Sequence, residues 1–146
     1  MSGGCATTMI QAQTKLKHGN SRAMTIYPKE LQPILDRIDP TFGRFIDCDS
    51  GWWPLIEELH QKALEIDPDY RIYQIKEKFG ALRFYFSASN PLLSANIQKI
   101  VDFYEKKSTT ICEKTGDQGR LMRKGGLFKT LNSSFVDEGW QEVESF

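Results

Sequence analysis

Residues Tyr70 to Phe86, YRIYQIKEKFGALRFYF, constrain the fold more than any other stretch of the chain. Two period-2 patterns meet at Gly80. Before it, Tyr73, Ile75 and Glu77 alternate with Ile72, Gln74 and Lys76; after it, Leu82, Phe84 and Phe86 alternate with Ala81, Arg83 and Tyr85. The pattern predicts a β-hairpin. Because a hairpin with one apolar face does not stand alone in water, helices before and after it are expected to cover the Phe84 and Phe86 side.

At 146 residues the chain is long enough to bury a core as one domain without a metal or disulfide staple. Nineteen basic residues balance nineteen acidic ones, which removes the sequence-independent electrostatic case for a dedicated nucleic-acid or membrane-surface binder but leaves a local basic face open. Cys5, Cys48 and Cys112 are far apart and lack CxxC spacing, a usage that suits a reducing compartment. No stretch approaches the roughly 20 apolar residues of a membrane span, and Met1 to Met24 lacks an apolar signal core. The expectation is a soluble cytoplasmic protein without membrane contact.

Residues 1–23 carry Lys15, Lys17, His18 and Arg22 with no acid before Glu30, and read as a flexible basic arm upstream of an internal start at Met24. From Tyr27 to Asp39 a short helical face of Leu31, Ile34, Leu35 and Ile38 is interrupted by Pro33, which predicts a helix kinked or restarted there. A connector with a short extended piece around Arg44 to Ile46 follows. Trp52, Ile56, Leu59, Ala63 and Ile66, widened by Leu55, then mark the clearest helix, with Ser50 or Asp49 as its expected cap. A third helix is predicted from Asn90-Pro91, burying Leu93, Ile97, Ile100, Val101 and Tyr104. After Lys107, short extended pieces divided by Gly116, Gly119 and Gly125-Gly126 predict one or two further hairpins. Residues 136–146 form an acidic tail, with Phe135 and Trp140 as the side chains able to pack it down.

Chemistry is sparsely marked. Cys112 begins a zinc-knuckle rhythm, but Thr115 stands where a second thiol is needed and no Cys or His follows, so no metal or cofactor is expected. Cys48 lies between Asp47 and Asp49, whose carboxylates oppose a thiolate; His60, at the edge of the helical stripe, reads first as a hydrogen-bonded structural histidine. An enzyme built around Asp47, Cys48, Asp49 and His60 is the third-ranked reading. Arg120, Arg123, Lys124 and Lys129 around Gly125 and Gly126, extended by Lys76, Lys78 and Arg83 if the hairpins are neighbours, offer a phosphate-binding patch. KFGALRFYF is also a loose variant of the basic-aromatic strand of RNA-recognition sheets. Trp53, turned partly away from the buried stripe, is a candidate interface anchor.

The segments IYPKELQPILDRIDPTFGRFIDCDSGWWPLI, DPDYRIYQIKEKFGALRFYF, TTICEKTGDQGRLM and GGLFKTLN, in that order, resemble a family of small proteins carried by bacteriophages, prophages and bacteria. The resemblance covers roughly Met24 to Asn132. Some members carry a CxxC and a further Cys and His where this chain has Thr115 and Asn132, so the metal site those forms suggest does not carry over. No reaction, substrate or catalytic residue comes with the resemblance; what it implies is a binding role, such as inhibition of a host protein or neutralisation of a toxin.

The combined expectation is an α+β domain over residues 24–135, with antiparallel sheet from the Tyr70 to Phe86 and Thr110 to Leu131 hairpins packed against about three helices. Its expected role is non-catalytic binding, and inhibition in the sense of the resemblance, of a host or bacterial protein such as a defence factor or toxin. The expected surface is Trp53, Arg83, Arg120, Arg123, Lys124, Gly125, Gly126 and Lys129. Nucleic-acid binding through the glycine-rich hairpin is the runner-up.

Overall fold

A computed structural model describes residues 25–144; the predicted arm, residues 1–23, lies outside them. By its internal contacts the chain separates into residues 1–32 and residues 33–146. In the first unit the described residues hold a 3-10 turn at Lys29–Leu31. Helix α1, Gln32–Arg37, begins at the boundary with Pro33 in its first turn, where a missing N–H costs nothing. All strands and both long helices belong to the second unit. They run β1 (Ile46–Asp47), α2 (Trp53–Ile66), β2 (Arg71–Lys78), β3 (Ala81–Ser87), α3 (Pro91–Ser108), β4 (Arg120–Lys124), β5 (Leu127–Leu131) and β6 (Gln141–Glu142). The fold is α+β. No helix among the described residues is long and apolar enough to cross a membrane.

The predicted hairpin is β2–β3, antiparallel from Arg71 opposite Ser87 to Lys78 opposite Ala81, with a bulge between Ile72 and Gln74. Two-residue β1 adds to β2 in parallel, Ile46 opposite Ile75. Ile75, Leu82 and Phe84 are buried on the face expected from the alternation. Ile72, which the alternation sets on the other face from Ile75, is buried as well because of the bulge, and Phe86 is half-buried. The C-terminal strands form a second sheet of order β5-β4-β6, separate from β1-β2-β3.

Helix α2 buries Leu55, Ile56, Leu59, His60 and Ala63, each large apolar side chain contributing about 1.5–3 kcal/mol. Its predicted side-chain cap is not used. A 3-10 turn, Ser50–Trp52, leads into the helix, neither Asp49 nor Trp52 makes a side-chain cap bond, and proline stands in the first turn. The Asp49 N–H instead donates to Glu113 Oε2 at 3.0 Å, and Trp52 Nε1 donates to Ile111 O at 2.8 Å. Tertiary bonds thus replace the local cap.

Helix α3 starts as predicted, with Asn90 Oδ1 accepting from Leu92 N at 2.9 Å and proline behind it. Asn90→Ala is expected to cost about 1 kcal/mol, read as a lower denaturant midpoint at unchanged m-value. The buried stripe is Ile97, Val101, Tyr104 and Ser108, shifted towards the C-terminus from the expected one, with Leu93 and Ile100 half-buried. Edge strand β3 explains the shift. On its side away from β2, Leu82 N donates to Ser108 Oγ at 2.9 Å and Phe84 N to Glu105 Oε2 at 2.8 Å. Two helix side chains stand where another strand's carbonyls would.

The second sheet has its own small core of Cys112, Met122, Leu131 and Trp140, with Phe135 packed against it. Trp140 is buried and Gln141–Glu142 pairs with β4, Met122 opposite Glu142, so the acidic tail enters the sheet. A chain of three bonds running from Gly51 through Glu113 and Thr130 to Gly80 adds to the Asp49 and Trp52 links between the N-terminal and C-terminal parts of this unit. Gly51 N donates to Glu113 O at 2.7 Å, Glu113 N to Thr130 O at 2.9 Å, and Thr130 Oγ1 to Gly80 O at 2.6 Å.

Candidate binding surface

The β2–β3 turn is the unusual local feature. Phe79 and Gly80 both have positive φ, +53° and +83°, the conformation of a two-residue type I′ turn that favours Asn-Gly or Gly-Gly. Phenylalanine there costs about 1–2 kcal/mol. Burial does not offset that cost, because Phe79 is 68% exposed. The turn is nevertheless held firmly: Glu77 Oε2 accepts from Gly80 N at 2.7 Å, Thr130 holds Gly80 O, and a Cβ on Gly80 would lie 2.6 Å from Leu121 Cδ1. A rigid tip therefore presents an aromatic ring to solvent, with Lys78 Nζ 5.7 Å from the ring centroid.

From this tip an open groove of about 710 Å³ runs between β3 and α3. Phe79, Tyr85, Lys78 and Arg83 supply its rings and cations, and Ser94, Gln98 and Glu105 its helix side. Tyr85 is 45% exposed. Arg83 stands opposite Lys76 and Lys78 opposite Ala81 in the hairpin register, on the face away from Ile75 and Leu82. Burial raises the Glu105 carboxyl above its ordinary range, opposed by the Phe84 N–H and by Arg83.

Of the residues of the expected surface, Arg83 alone lines this groove, joined by Lys78, which was expected only as an extension of the basic patch. Trp53 is half-buried in the first turn of α2. Arg120 pairs with Glu142 at 3.6 Å, and Lys124 lies 5.9 Å from the Trp140 ring centroid. Arg123 is exposed on β4, and Gly125-Gly126 turns that hairpin with open space for 4 Å around the place a Cβ would take at either glycine. Lys129 is drawn into the fold, 3.0 Å from Glu113 Oε1 and 3.6 Å from Glu77 Oε1. Burial works against its charge, but the two carboxylates prevail and raise its pKa.

The residues of the enzyme reading serve the structure. His60 Nδ1 lies 2.6 Å from Tyr70 Oη, and burial lowers the histidine to about pKa 4 while raising the tyrosine. Both are neutral at pH 7, so the phenol donates and the imidazole accepts. Asp49 pairs with Lys114 at 3.7 Å. Burial, followed by Glu113, Asp49 and Asp47, pushes the Cys48 thiol well up, which makes it a poor nucleophile. At Cys112 burial also raises the thiol, but the Thr115 hydroxyl and the N–H groups of Thr115, Asn132 and Lys114 prevail and lower it; Thr115 N is 3.4 Å from the sulfur. Among the described residues no three His, Cys, Asp or Glu side chains are placed to hold a metal ion.

Sequence reasoning missed Phe79, Glu105 and Glu113. Phe79 had a readable signal, since a two-residue turn whose first residue is Phe breaks the usual chemistry. Glu105 and Glu113 had none, because their partners lie 21 and 64 residues away. Compared with protein-family models, with curated proteins and with solved structures, the chain finds no match.

Proposed function

We propose that the protein is a non-catalytic binding module that takes a partner protein at the hairpin tip and the groove behind it. The observation that carries the reading is Phe79. Backbone strain retained at an exposed, rigidly braced aromatic has no use in folding, and strain of this kind gathers at sites where a side chain must be displayed. Aromatic and arginine side chains are also the usual anchors of protein interfaces. The resemblance to phage, prophage and bacterial proteins adds the biological direction: binding that inhibits a host or bacterial protein, such as a defence factor or toxin, in the bacterial cytoplasm.

The test separates folding from binding by opposite signs. Phe79→Asn relieves the strained φ and gives up an exposed cation–π contact, so stability should hold or rise by up to about 1 kcal/mol. The same variant should lose a partner protein that the tagged wild-type chain retains from bacterial lysate after nuclease treatment and at moderate salt. Equal retention by both chains, or bound material that disappears with nuclease, overturns the reading.

A further inference from the structure

The geometry points to an acidic protein segment carrying an aromatic or aliphatic anchor as the occupant of the β3–α3 groove. The inference rests on the binding reading above and adds the chemistry of the partner.

Three observations define that occupant. Charge comes first: Lys78 and Arg83 line the groove and Glu105 is the sole acid beside them, with one of its oxygens already committed to Phe84 N. A partner's carboxylates therefore meet Lys78, which makes no ion pair among the described residues, and Arg83, which acts on the Glu105 carboxylate without reaching salt-bridge distance. Apolar display comes second, because Phe79 and Tyr85 are exposed at separate points along the groove and bury area only if the partner brings a ring or aliphatic side chain to each. The third observation is the closed strand edge. Since Ser108 and Glu105 already accept from Leu82 and Phe84 N–H, strand addition is blocked along that part of β3, and recognition passes through side chains.

Single-stranded nucleic acid fits less well. It stacks on aromatics, but it also needs cations repeated along a backbone, and beyond Lys76, which stands opposite Arg83, three cations of the second hairpin that could extend this row are engaged elsewhere. Lys129 is held by Glu113 and Glu77, Arg120 by Glu142, and Lys124 lies against Trp140.

The probe is a fluorescein-labelled ten-residue peptide of glutamates with two spaced phenylalanines, titrated into the full chain. A lysine-for-glutamate version and a ten-nucleotide oligothymidylate serve as competitors, and amide shifts are recorded in parallel. Expected is binding of the acidic peptide with shifts at Phe79, Arg83 and Tyr85, weakened at least about tenfold by Lys78→Glu and by Arg83→Gln. Thermal melts of both variants check that the fold is retained; Lys78 is exposed and keeps the test alive if Arg83→Gln unfolds. Absence of binding, binding unaffected by both variants, equal affinity for the lysine peptide, or tighter binding of oligothymidylate each overturns the inference. If Phe79→Asn abolishes capture of a protein while the acidic peptide does not bind, the partner chemistry is wrong and the binding module stands. If Phe79→Asn also leaves capture intact, both fall.

Discussion

Gly51→Ala should destabilise the protein by at least about 3 kcal/mol, enough to lower the melting midpoint by roughly 10 °C in a chain of this size. An added Cβ would lie 2.3 Å from Cys112 O and 2.4 Å from Glu113 O, and both are backbone atoms that cannot swing aside. Relief requires the 109–119 loop to withdraw, which breaks the 2.7 Å bond from Gly51 N to Glu113 O and loosens Glu113 from Asp49 and Lys129. Gly126→Ala is the control. Nothing lies within 4 Å of a Cβ there, and a change within about 0.5 kcal/mol is expected. Similar melting midpoints for the two variants would refute the packing described around Gly51.

Acid should weaken the fold in a window set by His60. The imidazole titrates at its ordinary value of 6.5 when unfolded and at about 4 in the folded protein, so between those values the unfolded chain binds a proton that the native chain refuses. Stability from this group is complete above pH 6.5, falls as pH drops to 4, and is constant below. The loss across the window is about 3 kcal/mol. Asp67 titrates below its ordinary value of 3.8, so its stabilising contribution is lost only as pH falls through that lower range, under the histidine window. Denaturant unfolding at pH 7, 5.5 and 4 of the wild type and of His60→Gln, which keeps an acceptor for the Tyr70 hydroxyl, isolates the effect. Between pH 7 and pH 4 the wild type should lose about 3 kcal/mol relative to His60→Gln; parallel curves would mean that the histidine is not held neutral.

The elements that could be read from sequence are those whose cause is local. Alternation between Ile75 and Phe84 and the 3.6-residue spacing from Trp52 to Ala63 each report one buried face, and both appear where expected, whereas Ile72 is buried only through a bulge that the alternation does not signal. Asn90-Pro91 marks a helix start through chemistry confined to two residues. Long-range choices were not legible. Whether Ser50 caps α2, or Asp49 N instead reaches Glu113, depends on where the 109–119 loop lies. The separation of the hairpins into two sheets goes with β4 pairing to β6 and with α3 side chains closing the free edge of β3. The site divides in the same way: Arg83 was visible as a cation on an alternating strand, whereas Lys129 looked equally available until folding brought it to Glu113 and Glu77.

The closed edge of β3 also bears on solubility. LRFYF, residues 82–86, is rich in aromatic side chains and free of proline, the composition that stacks into cross-β aggregates when its backbone is open. Natural sheets protect such edges by charge, by bulges or by a covering element. Here Glu105 and Ser108 occupy two of its N–H groups, and both stand in the last turn of α3, where Lys106 and Lys107 favour the helix end. Fraying of that single turn would unmask the strand to other copies of the chain, so resistance to self-association depends on the helix terminus as much as on the sheet.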